Sequence, residues 1–265
     1  MLVGMCAGQA GTGKGEMRIE HPAYYQGVRV RPRIERIEKD IWDITVRLPF
    51  VDRWLDRVQP VEQQLWGSCV AYATACVIEI EYNAFGRGLR PDQQVDAMAI
   101  YRRARQMFWP REEWNAGGLY LDQGFWAAID LEILPDGTEI CEVNDGFEEL
   151  GEVLMAHPLV QGHVVTPEWF SPDPEDGELP MLAEGYKAGE YGLHATALVG
   201  TQVQGKYEGL IGQNSWGRRW GMGGYFLMAK EDWAKTLLGD GPYWMVVPDY
   251  KSWEIPEQYI LPREG

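Results

Sequence analysis

Apolar residues at positions 69, 73, 76, 77, 80 and 84 fall on one face of a 3.6-residue helix, and this spacing predicts a helix that begins at or just before Cys69. Two further helical patterns follow, in "QQVDAMAIYRRARQMF" (93–108) and "YLDQGFWAAIDLEI" (120–133), the second closed by Pro135, Asp136 and Gly137. From about residue 155 the texture changes. Short β-like runs appear in "LVQGHVV", "HATALVGTQ", "KYEGLIGQN" and "GYFLMA", separated by Pro, Gly and Asp clusters, and "SPDPEDGELP" reads as a loop. Helices first and strands second predict an α+β chain with two lobes: a flexible lead-in over 1–40, a mainly helical lobe over 41–150 and a mainly β lobe over 151–265.

The predicted helix start gives Cys69 its interest. A buried free cysteine behaves as a small hydrophobe, and that reading suffices for Cys76 on the same face. A thiol at a helix N-terminus also lies beside unsatisfied N–H groups and the positive end of the dipole, which favours the thiolate and makes Cys69 a candidate nucleophile. Such a nucleophile needs a base, and the chain has four histidines. His21 sits in the lead-in, and surface or capping roles suffice for it and for His157 before Pro158; His163 in "QGHVV" reads as a strand histidine.

His194 opens "HATALVG", where alternation puts His194, Thr196 and Leu198 on one strand face. If "VQG" (203–205) is a three-residue hairpin loop centred on Gln204, with Gly205 at its left-handed position, His194 faces Asn214 of "GQNSWG" across the ladder. A bulge at Gly205 would slip that register by one residue. An imidazole held by a neutral amide acceptor is the orienting arrangement a Cys–His nucleophile uses, although an ordinary polar cross-strand pair is the plain alternative. Gln63, six residues before Cys69, is placed to join the Cys69 N–H at a developing oxyanion, and Trp216 is placed to cover the His–Asn bond.

Four stretches, in order "VEQQLWGSCVAYA", "NAGGLYLDQG", "GLHATALVG" and "LIGQNSWGRRWGMGGYF", resemble the papain-like cysteine peptidases. The segments "LPFVDRWLDRVQPVEQQLWGSCVAYA" and "AIYRRARQM" look closer to the compact prokaryotic or phage-type branch. The resemblance implies a helical lobe bearing Cys69, an antiparallel β-barrel-like lobe bearing His194 and Asn214, and a peptide cleft between them with Gly117 and Gly118 in its wall. It implies a peptide or protein substrate and a thioester intermediate, with Cys69, His194, Asn214 and Gln63 as catalytic residues and Trp216 in support. Neither a metal nor an organic cofactor is implied. Trp66 stands where the family often carries a disulfide cysteine, and Val70 replaces the usual aromatic residue after the nucleophile. Two rival readings keep the same residues: a binding or structural protein with a silent site, and another Cys–His acyl transfer such as transpeptidation, deamidation or deubiquitination.

Charge narrows the partners. The net charge is −16, and residues 130–190 hold sixteen Asp or Glu against the single Lys187, so the remainder is close to neutral. That disfavours nucleic acid and anionic membranes, and no apolar run is long enough to span a bilayer. Four cysteines do not make a disulfide framework, and the N-terminus lacks a basic region ahead of an apolar core; together they predict reduced thiols in the cytoplasm, or in a virion if the gene belongs to a phage. "GQAGTGKG" fits the spacing of a phosphate loop at Gly8, Gly13 and Lys14, but Gly15 stands where a hydroxyl should hold magnesium, which leaves a flexible tail as the reading.

Overall fold

The computed structural model describes residues 30–31, 67–85, 88–114, 117–143, 147–165, 167–170, 193–204, 207–229, 243–248, 250–251 and 253–263. The phosphate-loop-like stretch, His21, Gln63, Trp66, the loop 171–180 and Gly205 lie outside them.

The first helix, α1 (Cys69–Phe85), begins at the predicted thiol, yet it is buried on every side from Cys69 to Tyr82. An amphipathic stripe therefore understates its surroundings. It packs on α2 (Ala97–Phe108), on α3 (Leu121–Asp130) and on two strands, β4 (Leu159–Val164) and β5 (Leu193–Gln204). Two carboxylates are carried into the core with it, and buried charges persist only when paired. Glu79 accepts from the Val95 N–H at 2.7 Å and from Arg263 Nη2 at 2.7 Å. Glu81 accepts from the Tyr250 hydroxyl at 3.0 Å and meets His157 Nδ1 at 2.8 Å. His157 is thus a buried partner of α1, not the surface or capping residue expected.

The helix predicted over 93–108 divides at Asp96, whose side chain accepts from Ala99 N–H at 2.9 Å and caps α2. The residues before the cap form β2 (Gln93–Val95), paired antiparallel with β9 (Ile260–Pro262). The helix over 120–133 is observed as α3, and a turn closes on Pro135 through the Thr138 N–H.

The remaining strands are β1 (Val30–Arg31), β3 (Glu139–Val143), β6 (Tyr207–Gln213), β7 (Tyr225–Ala229) and β8 (Tyr243–Val247), and the main sheet runs β1-β3-β8-β4-β5-β6-β7. The barrel-like lobe expected from the resemblance is not formed. β1 and β7 lie at opposite edges, no pairing joins them among the described residues, and β1 runs parallel to β3. Closure requires a fixed stagger and tilt around the whole ring, which local alternation does not encode. Here β8 and β3 extend the sheet away from β7 rather than back toward it. Both faces are covered. Val160, Ala195, Ala197 and Ile211 share a core with α1, while Leu159, Leu198 and Leu210 share another with Leu150 and Leu154 of α4 (Phe147–Ala156).

The β5–β6 hairpin also departs from expectation. Pairing runs from Gln204↔Tyr207 to Gly200↔Ile211, so the connection is the two residues 205–206, and the register then shifts between Leu198 and Gly200 to give Leu198↔Gly212 and Ala197↔Gln213. A register shift sits at Val199; Gly205, the position expected for a left-handed turn or bulge, lies outside the described residues. Continued past the ladder, this register sets Asn214 opposite Thr196 and diagonal to His194, two residues away from the predicted pairing. A slip of one residue would have turned Asn214 to the other face; a slip of two preserves the face.

Candidate active site

Cys69 opens α1 and is 1% exposed. The first helical hydrogen bond at this end runs from Tyr72 N–H to Ser68 C=O at 3.2 Å, so Ser68 occupies the cap position and the N–H groups of the first turn point toward the thiol's end of the helix. The approach to Cys69 passes through Gly67, at φ 83°, where an added Cβ would lie 2.5 Å from the Gly117 carbonyl oxygen. Only glycine permits so close a crossing, and the crossing puts the Gly117–Gly118 wall beside the nucleophile turn. The wall is itself held: Tyr101 donates its hydroxyl to Gly117 C=O at 2.8 Å, and Arg105 Nη1 donates to Gly118 C=O at 2.8 Å. Arg105 is buried, reaches Glu113 C=O through Nε at 3.1 Å, and stacks over Trp109 at 4.3 Å. Burial pushes the Tyr101 phenol up, the Arg105 cation opposes this, and negative charge on Cys69 adds to it. The phenol therefore lies within electrostatic reach of the thiol.

Cys76, seven residues on, is the contrasting thiol. Burial pushes it well above the usual thiol range, with Glu79 adding to the effect and Arg263 opposing it, so it stays protonated.

His194 Nε2 meets Asn214 Oδ1 at 2.8 Å, and both side chains are almost wholly buried. The same Oδ1 accepts from Ser215 N–H at 2.8 Å, which identifies that atom as the oxygen, because an amide nitrogen cannot accept. Nε2 must then carry the proton, and Nδ1 is left for a thiol. Asn214 is anchored through its own N–H, which donates to Gly224 C=O at 2.9 Å. The loop that follows turns through Gly217, Gly221, Gly223 and Gly224, all at positive φ, and folds its tryptophans back over the site. Trp216 lies against His194 at 4.8 Å and 35°, and it also stacks on the exposed Phe170 at 5.7 Å and 16°. It lies over the imidazole that Asn214 holds.

A Cys69–His194 hydrogen bond is not present among the described residues; catalytic hydrogen bonds often tighten only around substrate. Gln63, the expected oxyanion donor, lies outside the described residues. Among the described residues, no helix is long and apolar enough to cross a membrane, and no cluster of His, Cys, Asp or Glu could hold a metal ion.

Sequence reading missed the ring neighbours of the site. His163 is paired directly across the ladder with His194, stacks on Trp169 at 4.1 Å and stands edge-on to His194 at 5.6 Å. Trp169 belongs to a 3-10 turn, Pro167–Phe170, after β4. Pairing of β4 with β5 would have revealed the contact, but nothing local announces that pairing.

Part of the chain and its fold resemble known proteins. Residues 182–240 match the model of the papain family of cysteine proteases. An uncharacterised peptidase C1-like protein of Acanthamoeba polyphaga mimivirus is 33% identical over 112 residues, 42% of this chain, and the match spans about a third (35%) of that relative's length. Among solved structures, xylellain, a cysteine protease from Xylella fastidiosa, superposes with a TM-score of 0.56 at 20% identity, covering 72% of this chain and 83% of its own. The bromelain protease of Ananas comosus gives 0.53 at 16%, covering 74% and 96%, and procathepsin L2 of the Tenebrio molitor larval midgut gives 0.56 at 18%, covering 85% and 76%. At these identities the structural likeness speaks for the fold.

Proposed function

We propose that the chain is a papain-like cysteine peptidase that hydrolyses peptide bonds through a thioester, a reading supported by the match of residues 182–240 to the papain family model and by the likeness to the mimivirus peptidase C1-like protein. Cys69 is the nucleophile, His194 the acid and base, Asn214 the group that orients the imidazole, and Trp216 its cover. Gln63 and the Cys69 N–H are the proposed oxyanion donors, with Gly117 and Gly118 along the substrate.

In the first half-reaction the Cys69 thiolate attacks the peptide carbonyl and forms a C–S bond. The His194 imidazolium gives its Nδ1 proton to the amide nitrogen, the C–N bond breaks, and the amine leaves. In the second, neutral Nδ1 takes a proton from water as the oxygen adds to the thioester, the C–S bond breaks, the acid leaves, and Cys69 is restored as the thiolate beside protonated His194. The atoms balance with no further reactant. Asn214 Oδ1 holds the Nε2 proton throughout, so the ring presents the same nitrogen in both steps.

One observation carries this reading: the 2.8 Å Nε2–Oδ1 bond, with its acceptor fixed by Ser215. A peptide-library digest read by mass spectrometry tests it. Cys69→Ala and His194→Ala should each lose turnover by several orders of magnitude with the thermal midpoint nearly unchanged. Wild-type rates in Cys69→Ala would overturn it.

A further inference from the structure

The Asn214 bond fixes one atom of the His194 ring but leaves the ring free to swing about the Nε2–Oδ1 line. Packing must settle that swing. Trp216 limits it on one side, tilted against the ring at 4.8 Å. Two other rings stand perpendicular to the imidazole: His163 at 5.6 Å and 83°, and Trp169 at 6.1 Å and 77°.

His163 is well placed to act as a stop because it is enclosed by its neighbours. Its backbone is in register with His194 on the neighbouring strand, its side chain has no solvent exposure, and its ring stacks on Trp169 at 4.1 Å and 19°. Trp169 is fixed in turn by Trp220, which stacks on it at 5.6 Å and donates its indole N–H to the Trp169 carbonyl at 2.7 Å. The stack from Trp220 through Trp169 to His163 therefore ends at the imidazole.

We propose that His163 is a positioning residue for the reaction: its ring stops the His194 imidazole at the angle where Nδ1 addresses Cys69. The proposal rests on the peptidase reading above. It assigns His163 no proton transfer, only the shape and rigidity of its ring. Truncating it would leave an imidazole-sized space beside His194 and widen the swing, and misplacement on that scale costs rate rather than substrate binding.

The test compares wild type, His163→Ala and His163→Phe in two assays: steady-state cleavage of a peptide selected from the library digest, and alkylation of Cys69 by iodoacetamide. Thermal midpoints are measured alongside. His163→Ala should lower kcat by roughly ten- to a hundredfold with KM within about twofold, and should slow alkylation by a similar factor. His163→Phe should recover most of both rates, since it restores a ring of similar outline. A His163→Ala enzyme with wild-type kcat, or one that loses only thermal stability, overturns the proposal. So does a folded His163→Phe variant as slow as the alanine variant. Asn214→Ala separates this failure from failure of the peptidase reading: if it too has no effect on kcat, the imidazole assignment itself is wrong.

Discussion

Asn214 and Gly67 do most to shape the site at the scale of single residues. Asn214→Ala removes the acceptor that holds Nε2 and should reduce kcat by on the order of 10²-fold, with KM little changed in steady-state assays. Gly67→Ala would bring a methyl group 2.5 Å from the Gly117 carbonyl oxygen at a backbone φ of 83°. Gly223 is the matched control, at φ 64° with open space around the position of its missing Cβ. Its replacement by alanine should cost only the left-handed backbone penalty of about 1–2 kcal/mol. Gly67→Ala should cost more in urea denaturation and should also depress kcat/KM, because the nucleophile turn and the glycine wall must move apart. Cys69, His194 and Asn214 stand out as candidates in the sequence because each carries a local signal: a helix start, a strand face and an Asn-Ser-Trp-Gly motif. Arg105 and His163 do not. Arg105 looks like any cation in "RRAR", and only the meeting of its guanidinium with the Gly118 carbonyl reveals its use.

The chief prediction at the scale of elements concerns α1 and its buried carboxylates. Burial pushes the Glu79 carboxyl up to about 7, while Arg263 and the Val95 N–H pull the other way. A carboxyl raised on folding binds its proton more tightly in the native chain than in the unfolded one. Its contribution is therefore complete below the unfolded value near 4.5 and is lost as pH rises toward 7, a change of about 3 kcal/mol. Chemical denaturation between pH 4.5 and 8 should show this decline, and Glu79→Gln should flatten it. Arg263→Ala removes the opposing cation and should carry the decline to higher pH. The elements themselves were largely readable, since their type follows from local period. Their pairing was not: the β5–β6 register differs from the predicted one by two residues near the site, and the shift at Val199 carries no local sequence signal. The pleat repeats every two residues, so that error left His194 and Asn214 on one face and the inferred contact intact.

The open sheet is the clearest limit of sequence reading for the whole molecule. A strand's alternation says which face is buried, and here both faces are. It does not say whether the last strand returns to the first. The long-range ties that do define the molecule run to α1 from residues 250–263. Tyr250 reaches Glu81, Arg263 reaches Glu79, and β9 pairs with β2. Removing residues 250–263 leaves Glu79 without its cation and Glu81 without one donor, and loss of a single partner from a buried pair costs about 3–5 kcal/mol. The thermal midpoint of the shortened chain should fall well below that of Cys69→Ala, measured by scanning calorimetry. Synthesis gives the same ties another meaning. Glu79 is made 184 residues before Arg263. Through that interval on the ribosome, the helix that begins at Cys69 holds an acidic side chain whose counter-ion has not yet been made. The ion pair that ties this helix to the distal segment can therefore form only after Arg263 has been made.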